Sequence, residues 1–502
     1  MSQTLFTAAQ TRELDRLAIE ESGIPGFELM CRAGDAAFAS LLTRWPGLRS
    51  ITVCCGKGNN AGDGYLVAGR AVDFGIEVEL LQLEDPAALS GDAATARDWA
   101  VGRGVQIQVC VQQVPVPGGE VVVDALLGTG LTGSPRGLYA DAIGALNQSG
   151  KPVLAVDIPS GVSADTGAVA GAAVRADLTV TFIGRKLGTF TGAGVAAAGE
   201  LVFADLGVGT EVMRRVVGVP LLKLDDLLEQ PGLPERSANA YKHALGHVLV
   251  IGGDDAMGGA PLMAAEAALR VGAGMVTVAT RCRHRSAILA RRPELMVVDA
   301  DDDEQFTGAL SRATTLVVGP GLGRRQWGLS LLERAIAQKK TMVVDADGLN
   351  LIADAGLSPS APVVFTPHVG EAATLLSRSV AEVQADRPSA ALALAELAAS
   401  GSGSGVSVLK GAGTLICRSQ GVSQSRLLGV CGHGNPGMAS AGMGDVLSGV
   451  IGGLLAQGMT PADAAAVGVA AHSKAADDAV IRTGERGLLA TDLLPELMRL
   501  LA

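Results

Sequence analysis

Residues 51–64 read ITVCCGKGNNAGDG, and residues 247–260 read HVLVIGGDDAMGGA. Each begins with a short β-branched run and ends in a cluster of glycines ahead of an Ala/Leu-rich helical stretch. A strand feeding a glycine turn and then a helix is the repeating unit of a parallel α/β layer, since parallel neighbours need a crossover.

Outward from the first stretch, strands are expected at Ile51–Cys55, Val78–Leu83, Val121–Asp124, Val153–Asp157 and Leu178–Ile183. Helical patterns at Ala8–Glu21 and Ala87–Val101 precede and separate them. The rhythm breaks from Gly218 to Ala240, where Pro220, Pro231 and Pro234 flank a short polar helix, the expected linker between domains 1–218 and 219–502. A second series then starts: His247–Ile251, Val276–Ala279, Leu316–Val318, Met342–Val344, Val363–Phe365 and Val406–Leu409, with a helix at Ala260–Val271. The two glycine loops differ, so two distinct α/β domains are expected rather than a duplication.

Composition narrows the function. Glycine supplies 67 of 502 residues, about 13% and near twice the usual share, with no Gly-X-Y period. The glycines therefore belong to turns and close backbone approaches. Aromatics are only 3% and net charge is −11, which argues against a β-sandwich, a base-stacking surface and a broad phosphate-backbone footprint. Seven cysteines lack C-x-x-C spacing, and Cys54 and Cys55 close a strand as buried thiols. The first twenty residues are charged, and the longest apolar run, Val446–Ala456, is too short to span a bilayer. A soluble, cytoplasmic protein is expected, binding neither nucleic acid nor membrane, and forming a homo-oligomer. The run Asp299–Glu304 reads as a solvated acidic turn.

Gly56–Gly64 is read as a loop between a strand and a helix starting at Tyr65, where free N–H groups receive an anion. Its spacing is not that of the dinucleotide fingerprint, and a plain tight turn is the alternative. Asp124 in VVDALLGTGLTG and Asp157 in AVDIPSG end two further strands. With Asn60 and Ser160 they are expected on one sheet edge, offering hard oxygens suited to an alkali or alkaline-earth cation, or a carboxylate for proton transfer. A helix cap is the bland reading of either aspartate.

The strongest motif is GNPGMASAGMGDVLSG at Gly434–Gly449, running into an apolar helix. Its glycines leave helix-start N–H groups open as an anion hole, and Asp445 is placed to take a proton from a hydroxyl. That pairing suits phosphoryl transfer. VLKGAGT offers Lys410 for nucleotide phosphates, and VVGPGLG and TPHVGE supply further loops. His368 is either a capped-turn residue or a ligand contact. Asp345 and Asp347 either support a metal or cap the following helix, and both readings stay open.

The segments GKGNNAGDG, VVDALLGTGLTG and AVDIPSGVSADTG resemble those of NAD(P)H-hydrate epimerases over about the first 210 residues. The resemblance implies a Rossmann-like three-layer domain that interconverts the R and S epimers of hydrated NADH or NADPH. It implies potassium on Asn60, Asp124 and Ser160, and Asp157 as acid–base. Nucleotide contacts are implied at Asn59, Asn60, Ala61, Gly62 and Asp63, at Gly128, Thr129, Gly130, Leu131, Thr132, Gly133 and Ser134, and at Asp157. The family usually has glycine in place of Ala61, where a methyl is expected to crowd a φ > 0 backbone or the ligand.

From about residue 225 onward, KHALGHVLVIGG, GGAPLMAAEAALRVGAGMVTVAT, TPHVGE, KGAGT and GNPGMASAGMGD resemble the ADP- or ATP-dependent NAD(P)H-hydrate dehydratases, which are ribokinase-like. This implies phosphorylation of the hydrate's hydroxyl followed by loss of phosphate, with Mg2+ and with ADP as co-substrate, as in bifunctional bacterial repair enzymes. Ala260, Gly323, His368 and Asp445 are implied to touch the hydrate. Lys410, Gly411, Ala412, Gly413, Thr414 and Gly444 are implied to hold ADP. Met443 stands where many members have threonine, which removes a hydroxyl from the phosphate site. Two other readings are a vitamin-precursor kinase, which shares the anion-hole segment, and a non-catalytic first domain like that of an mRNA-decapping scaffold.

Overall fold

Alternation along single strands sets the layers. In Ser50–Cys55, Ile51, Val53 and Cys55 join one apolar cluster while Cys54 joins another, because successive side chains leave a strand on opposite faces. The structure is a computed structural model describing residues 3–229, 236–421 and 423–502. The chain divides into two units, Thr4–Val219 and one built on Pro220–Ala502.

In the first unit the sheet order is Ile107–Val109, Glu77–Gln82, Ser50–Cys55, Val121–Ala125, Val153–Val156, Leu178–Phe182, Glu200–Ala204, all parallel. Helices Gly26–Arg44, Asn59–Phe74 and Gly91–Val101 cover one face and Leu138–Gln148 the other. The chain winds outward from Ser50–Cys55 in one direction and then from Val121–Ala125 in the other. The loops after those two strands part there, opening the crevice where such sheets bind ligands.

Three expectations change. The helix begins at Asn59, not Tyr65, so much of GKGNNAGDG is helix. Gly62 and Gly64 are there for packing: a Cβ would lie 2.6 Å from Met30 Sδ at the first and 2.5 Å from Ala125 Cβ at the second. Ala61 lies within this helix, is not among the positive-φ residues, and is fully buried in the core. Its methyl thus meets core atoms and crowds no left-handed backbone. The strands expected to reach Asp157 and Ile183 stop one residue early, because those residues turn to φ 67° and 58°, outside the extended region.

In the second unit, Met296–Asp299, Met275–Thr280, His247–Ile251, Thr315–Val318, Met342–Val344, Val363–Phe365 and Gly405–Leu409 lie side by side in parallel. Leu415–Ser419 and Ser425–Cys431 then add antiparallel, since the few residues joining them allow only a hairpin. Valines 248, 250, 317 and 343 face helices Gly259–Arg270, Met443–Ala456 and Pro461–Thr483; Leu249, Ile251, Leu316 and Val318 face the opposite layer.

The linker reading is corrected at Pro220, which lies in a strand, Val219–Leu222, paired with Val430 and Cys431. Proline is tolerated near a strand's start. Pro231 and Pro234 lie outside the described residues. The acidic run is more than a solvated turn: Asp299 ends a strand, and Asp302 caps helix Asp303–Arg312 by accepting from Gln305 N at 3.0 Å. Cys54 and Cys55 are buried, as expected. Among the described residues, no helix is long and apolar enough to cross a membrane.

Candidate active sites

In the first unit, the crevice between the diverging loops is a cavity of about 710 Å³. Of the expected contacts, Asn59, Asn60, Asp63, Asp157 and the run Gly128–Thr132 line it; Ala61, Gly62, Gly133 and Ser134 do not. Asp157 sits at its wall in a left-handed backbone, a conformation that costs about 1–3 kcal/mol and recurs at working sites. Buried Lys186 pairs with its Oδ1, which also accepts from Phe182 N at 3.2 Å.

Asp124 and Ser160 are fully buried and do not line the cavity. Ser160 donates to Asp124 through its Oγ at 2.6 Å and its N at 2.8 Å, and its Oγ accepts from Leu127 N at 2.8 Å. Asn60 Nδ2 donates to Leu127 O at 3.2 Å, tying the third residue to the same turn. That leaves Asn60 Oδ1 buried without a hydrogen-bond partner, a cost unless a cation or water meets it. Burial pushes the Asp124 carboxyl up to about 6, although the Ser160 and Leu126 hydrogen bonds oppose this. An orphaned oxygen, a buried carboxylate and a hydroxyl fit an alkali cation.

In the second unit, strand ends converge on the start of helix Met443–Ala456. Gly442 precedes it at φ 90°, and no side chain caps it. Gly444 lies close against the charged group. A Cβ there would come 3.2 Å from Lys410 Nζ and 3.5 Å from Asp345 Oδ2. Lys410 Nζ donates to Asp345 Oδ1 at 2.7 Å and lies 3.7 Å from Glu371. Asp445 projects from the first helical turn beside this group. Burial raises its carboxyl to about 7; Asp345 raises it further, and Lys410 opposes. Glu371 also rises to about 7, chiefly through burial.

The helix-cap readings fare differently from residue to residue. Asp345 precedes helix Ala346–Ala355 but makes no side-chain cap; it answers Lys410 instead. Asp347 Oδ2 accepts from Gly323 N at 2.9 Å, which fixes the loop after Thr315–Val318. His368 caps helix Val369–Leu376, its Nδ1 accepting from Gly370 N and Glu371 N, while its ring stays largely exposed. Both readings of His368 therefore hold geometrically. Ala260 lies in the first turn of helix Gly259–Arg270, whose Ala264 backbone occupies the space beside Gly449. Gly411, at φ 135°, opens the Lys410–Thr414 turn, and Thr414 Oγ1 donates back to Gly411 O at 3.1 Å.

Several residues escaped the sequence reading. Arg387, fully buried, donates to Leu409 O and Lys410 O beneath that turn, and burial lowers it to about 10. Asp477 accepts from Gly434 N at 3.0 Å and Asn435 Nδ2 at 2.9 Å, anchoring the approach to the helix. Asp15 and Lys186 line the first cavity. None lies in a motif, and each stands beside another charged residue, Arg16, Arg185, Asp386 or Asp478, so nothing local singles them out.

A family model described as NAD(P)H-hydrate dehydratase matches residues 248–499. A second, described as YjeF-related protein N-terminus, matches 26–188. The bifunctional NAD(P)H-hydrate repair enzyme Nnr of Coxiella burnetii is 48% identical over 501 residues, covering 98% of both chains. The chain belongs to this bifunctional NAD(P)H-hydrate repair enzyme family. The Escherichia coli member is 42% identical, covering 99% of this chain and 94% of its own. A solved structure of ADP/ATP-dependent NAD(P)H-hydrate dehydratase from Bacillus subtilis, co-crystallized with ATP/Mg2+, is 26% identical. It covers 56% of this chain and 97% of its own, with TM-score 0.49. The family's epimerase-side model spans Asn60, Asp124, Asp157 and Lys186 but not helix Ala8–Glu20.

Proposed function

We propose that this chain repairs hydrated NADH and NADPH. The unit Thr4–Val219 interconverts the R and S epimers. The unit Pro220–Ala502 converts the S epimer with ADP into reduced nucleotide, AMP and phosphate. The observation that carries this reading is Asp445 at an uncapped helix start beside the Lys410–Asp345 pair; the family membership over nearly the full chain supports both halves.

In the dehydratase half, Asp445 takes the proton of the hydrate's hydroxyl as its oxygen attacks the β-phosphorus of ADP, releasing AMP. The helix-start amides stabilise charge on the transferring phosphoryl group. Lys410, oriented by Asp345, holds the donor's phosphates, and the Gly411–Thr414 turn positions the nucleotide. Phosphate then leaves with its C–O bonding electrons, and loss of a ring proton restores the double bond. Mg2+, when bound with the nucleotide, would supply charge neutralisation on the phosphates. Among the described residues no three acidic, His or Cys groups form a metal cage, which suits an ion held largely by phosphate oxygens and water.

In the epimerase half, Asn60, Asp124 and Ser160 would hold potassium, which would supply a fixed positive charge. Asp157 moves a proton at the hydrate's hydroxyl. The test mixes hydrated NADH, ADP and magnesium with the protein and follows reduced-nicotinamide absorbance. Complete consumption of both epimers is expected. Consumption of one epimer alone removes the epimerase half, and accumulation of a stable phosphorylated product indicates a kinase instead.

A further inference from the structure

Strand Gln3–Phe6 pairs in parallel with Arg185–Lys186, placing Phe6 opposite Lys186. The chain turns at once through a capping box, Thr7 with Gln10, into helix Ala8–Glu20. Thr11, Asp15 and Ile19 follow one another at four-residue spacing and all line the cavity, while Leu14, Leu17 and Ala18 pack into the core. The helix thus presents one carboxyl to the space that Asp157 and Lys186 also face.

We infer that Asp15 is a second acid–base group of this cavity, exchanging a proton with the hydrate's ring nitrogen while Asp157 exchanges one with its hydroxyl. This rests on the proposed epimerase activity.

Charge arithmetic supports the division of labour. Lys186 is the cation that opposes the upward shifts of both Asp15 and Asp63, and it is committed to Asp157 Oδ1. The donors that reach the Asp157 carboxylate among the described residues all go to Oδ1. Burial favours the protonated form of the remaining two carboxyls. Burial drives Asp15 up to about 6 and Asp63 well above its usual range, with Asp157 adding to both and Lys186 opposing. Arg12 on the same helix is exposed, and Lys57, Asp92 and Arg136 are the other charged groups lining the cavity. Helix Gly26–Arg44 contributes only the apolar Leu29, Met30 and Ala33, with Gly26.

The chemistry needs one acid and one base at once. The hydrate's hydroxyl sits on the carbon bonded to the ring nitrogen. Asp157 removes the hydroxyl proton; the O–H electrons form C=O, and the C–N pair goes to nitrogen, which takes the proton of Asp15. The open-chain aldehyde turns about its single bond. Nitrogen then attacks the other face, its proton returns to Asp15, and the oxygen recovers the proton from Asp157. Nothing is oxidised, and each carboxyl ends as it began.

The test uses the full chain carrying Asp15→Asn, with exchange between R and S hydrate followed by chromatography across pH. Dehydration of pure S hydrate by the same molecules, together with hydrate affinity, reports folding and binding. Epimerisation is expected to fall by about 10²–10⁴-fold with dehydration and affinity unchanged. Wild-type rate is expected to decline as pH rises through about 6, and that decline should vanish from the residual activity. Asp15→Glu should restore part of the rate with a shifted profile. Near-normal exchange by Asp15→Asn overturns the inference, as does a loss of rate matched by lost affinity with the pH profile unchanged. If Asp15→Asn does not fold, an unaltered profile in Asp15→Glu overturns it. Absence of exchange in the wild-type chain instead defeats the epimerase reading itself.

Discussion

Lys410 and Asp345, from two different strand ends, meet at 2.7 Å beneath the first turn of the helix that bears Asp445. Asp345 is 1% exposed and Lys410 is its ion-pair partner. Removing one partner of a buried pair costs about 3–5 kcal/mol. Lys410→Met is expected to lower the unfolding midpoint of its unit and to abolish dehydration, while exchange of R and S hydrate continues. Calorimetry with separate assays of the two reactions checks this; unchanged dehydration would remove Lys410 from the site.

Asp445 must be deprotonated to act as a base, and its folded-state pKa is raised to about 7. Dehydration should therefore rise with pH through about 7 and level off above it. Asp445→Asn should lower turnover by about 10²–10⁴-fold, erase that rise and leave ADP affinity nearly intact. Rapid-mix turnover and equilibrium binding, measured side by side, decide the point.

If Asn60, Asp124 and Ser160 hold potassium, as proposed, a proton competes with it for Asp124. With its carboxyl raised to about 6, potassium affinity should weaken as pH falls through that value and become flat above it. Asn60→Ala removes the orphaned Oδ1 and should raise the potassium concentration needed for half-maximal epimerisation at every pH. An identical potassium requirement in the variant would show that Asn60 is no ligand.

Ala61 lies inside a helix with its methyl buried. Ala61→Gly should destabilise by about 0.5–1 kcal/mol through helix entropy and leave hydrate affinity unchanged. A gain in affinity, read by titration calorimetry, would mean that the methyl does obstruct the ligand.

The motifs made the site's chemistry legible wherever a local constraint chose the residue. The glycines before Asp445, and Asp124 at a strand end, follow from backbone approach and strand geometry, both nearest-neighbour effects. Gly62 and Gly64 misled because a glycine required by helix packing looks the same as one required by a loop. Asp157 and Ile183 look like strand in the sequence because β-branched neighbours mask a single left-handed residue. Pro220 looks like linker because its strand pairs with residues some two hundred positions away.

The amino-acid sequence by itself determined two parallel α/β units, the carboxyl-edge position of the motif loops and the family to which they belong. Periodicity and glycine spacing are local, and they suffice for that. Only the tertiary structure decided which charges meet: Asp345 with Lys410, Asp124 with Ser160, and Asp15 with Asp157 and Lys186. Those partners lie far apart along the chain. The electrostatics that set each proton depend on burial and on distance across elements, which no short window of sequence contains.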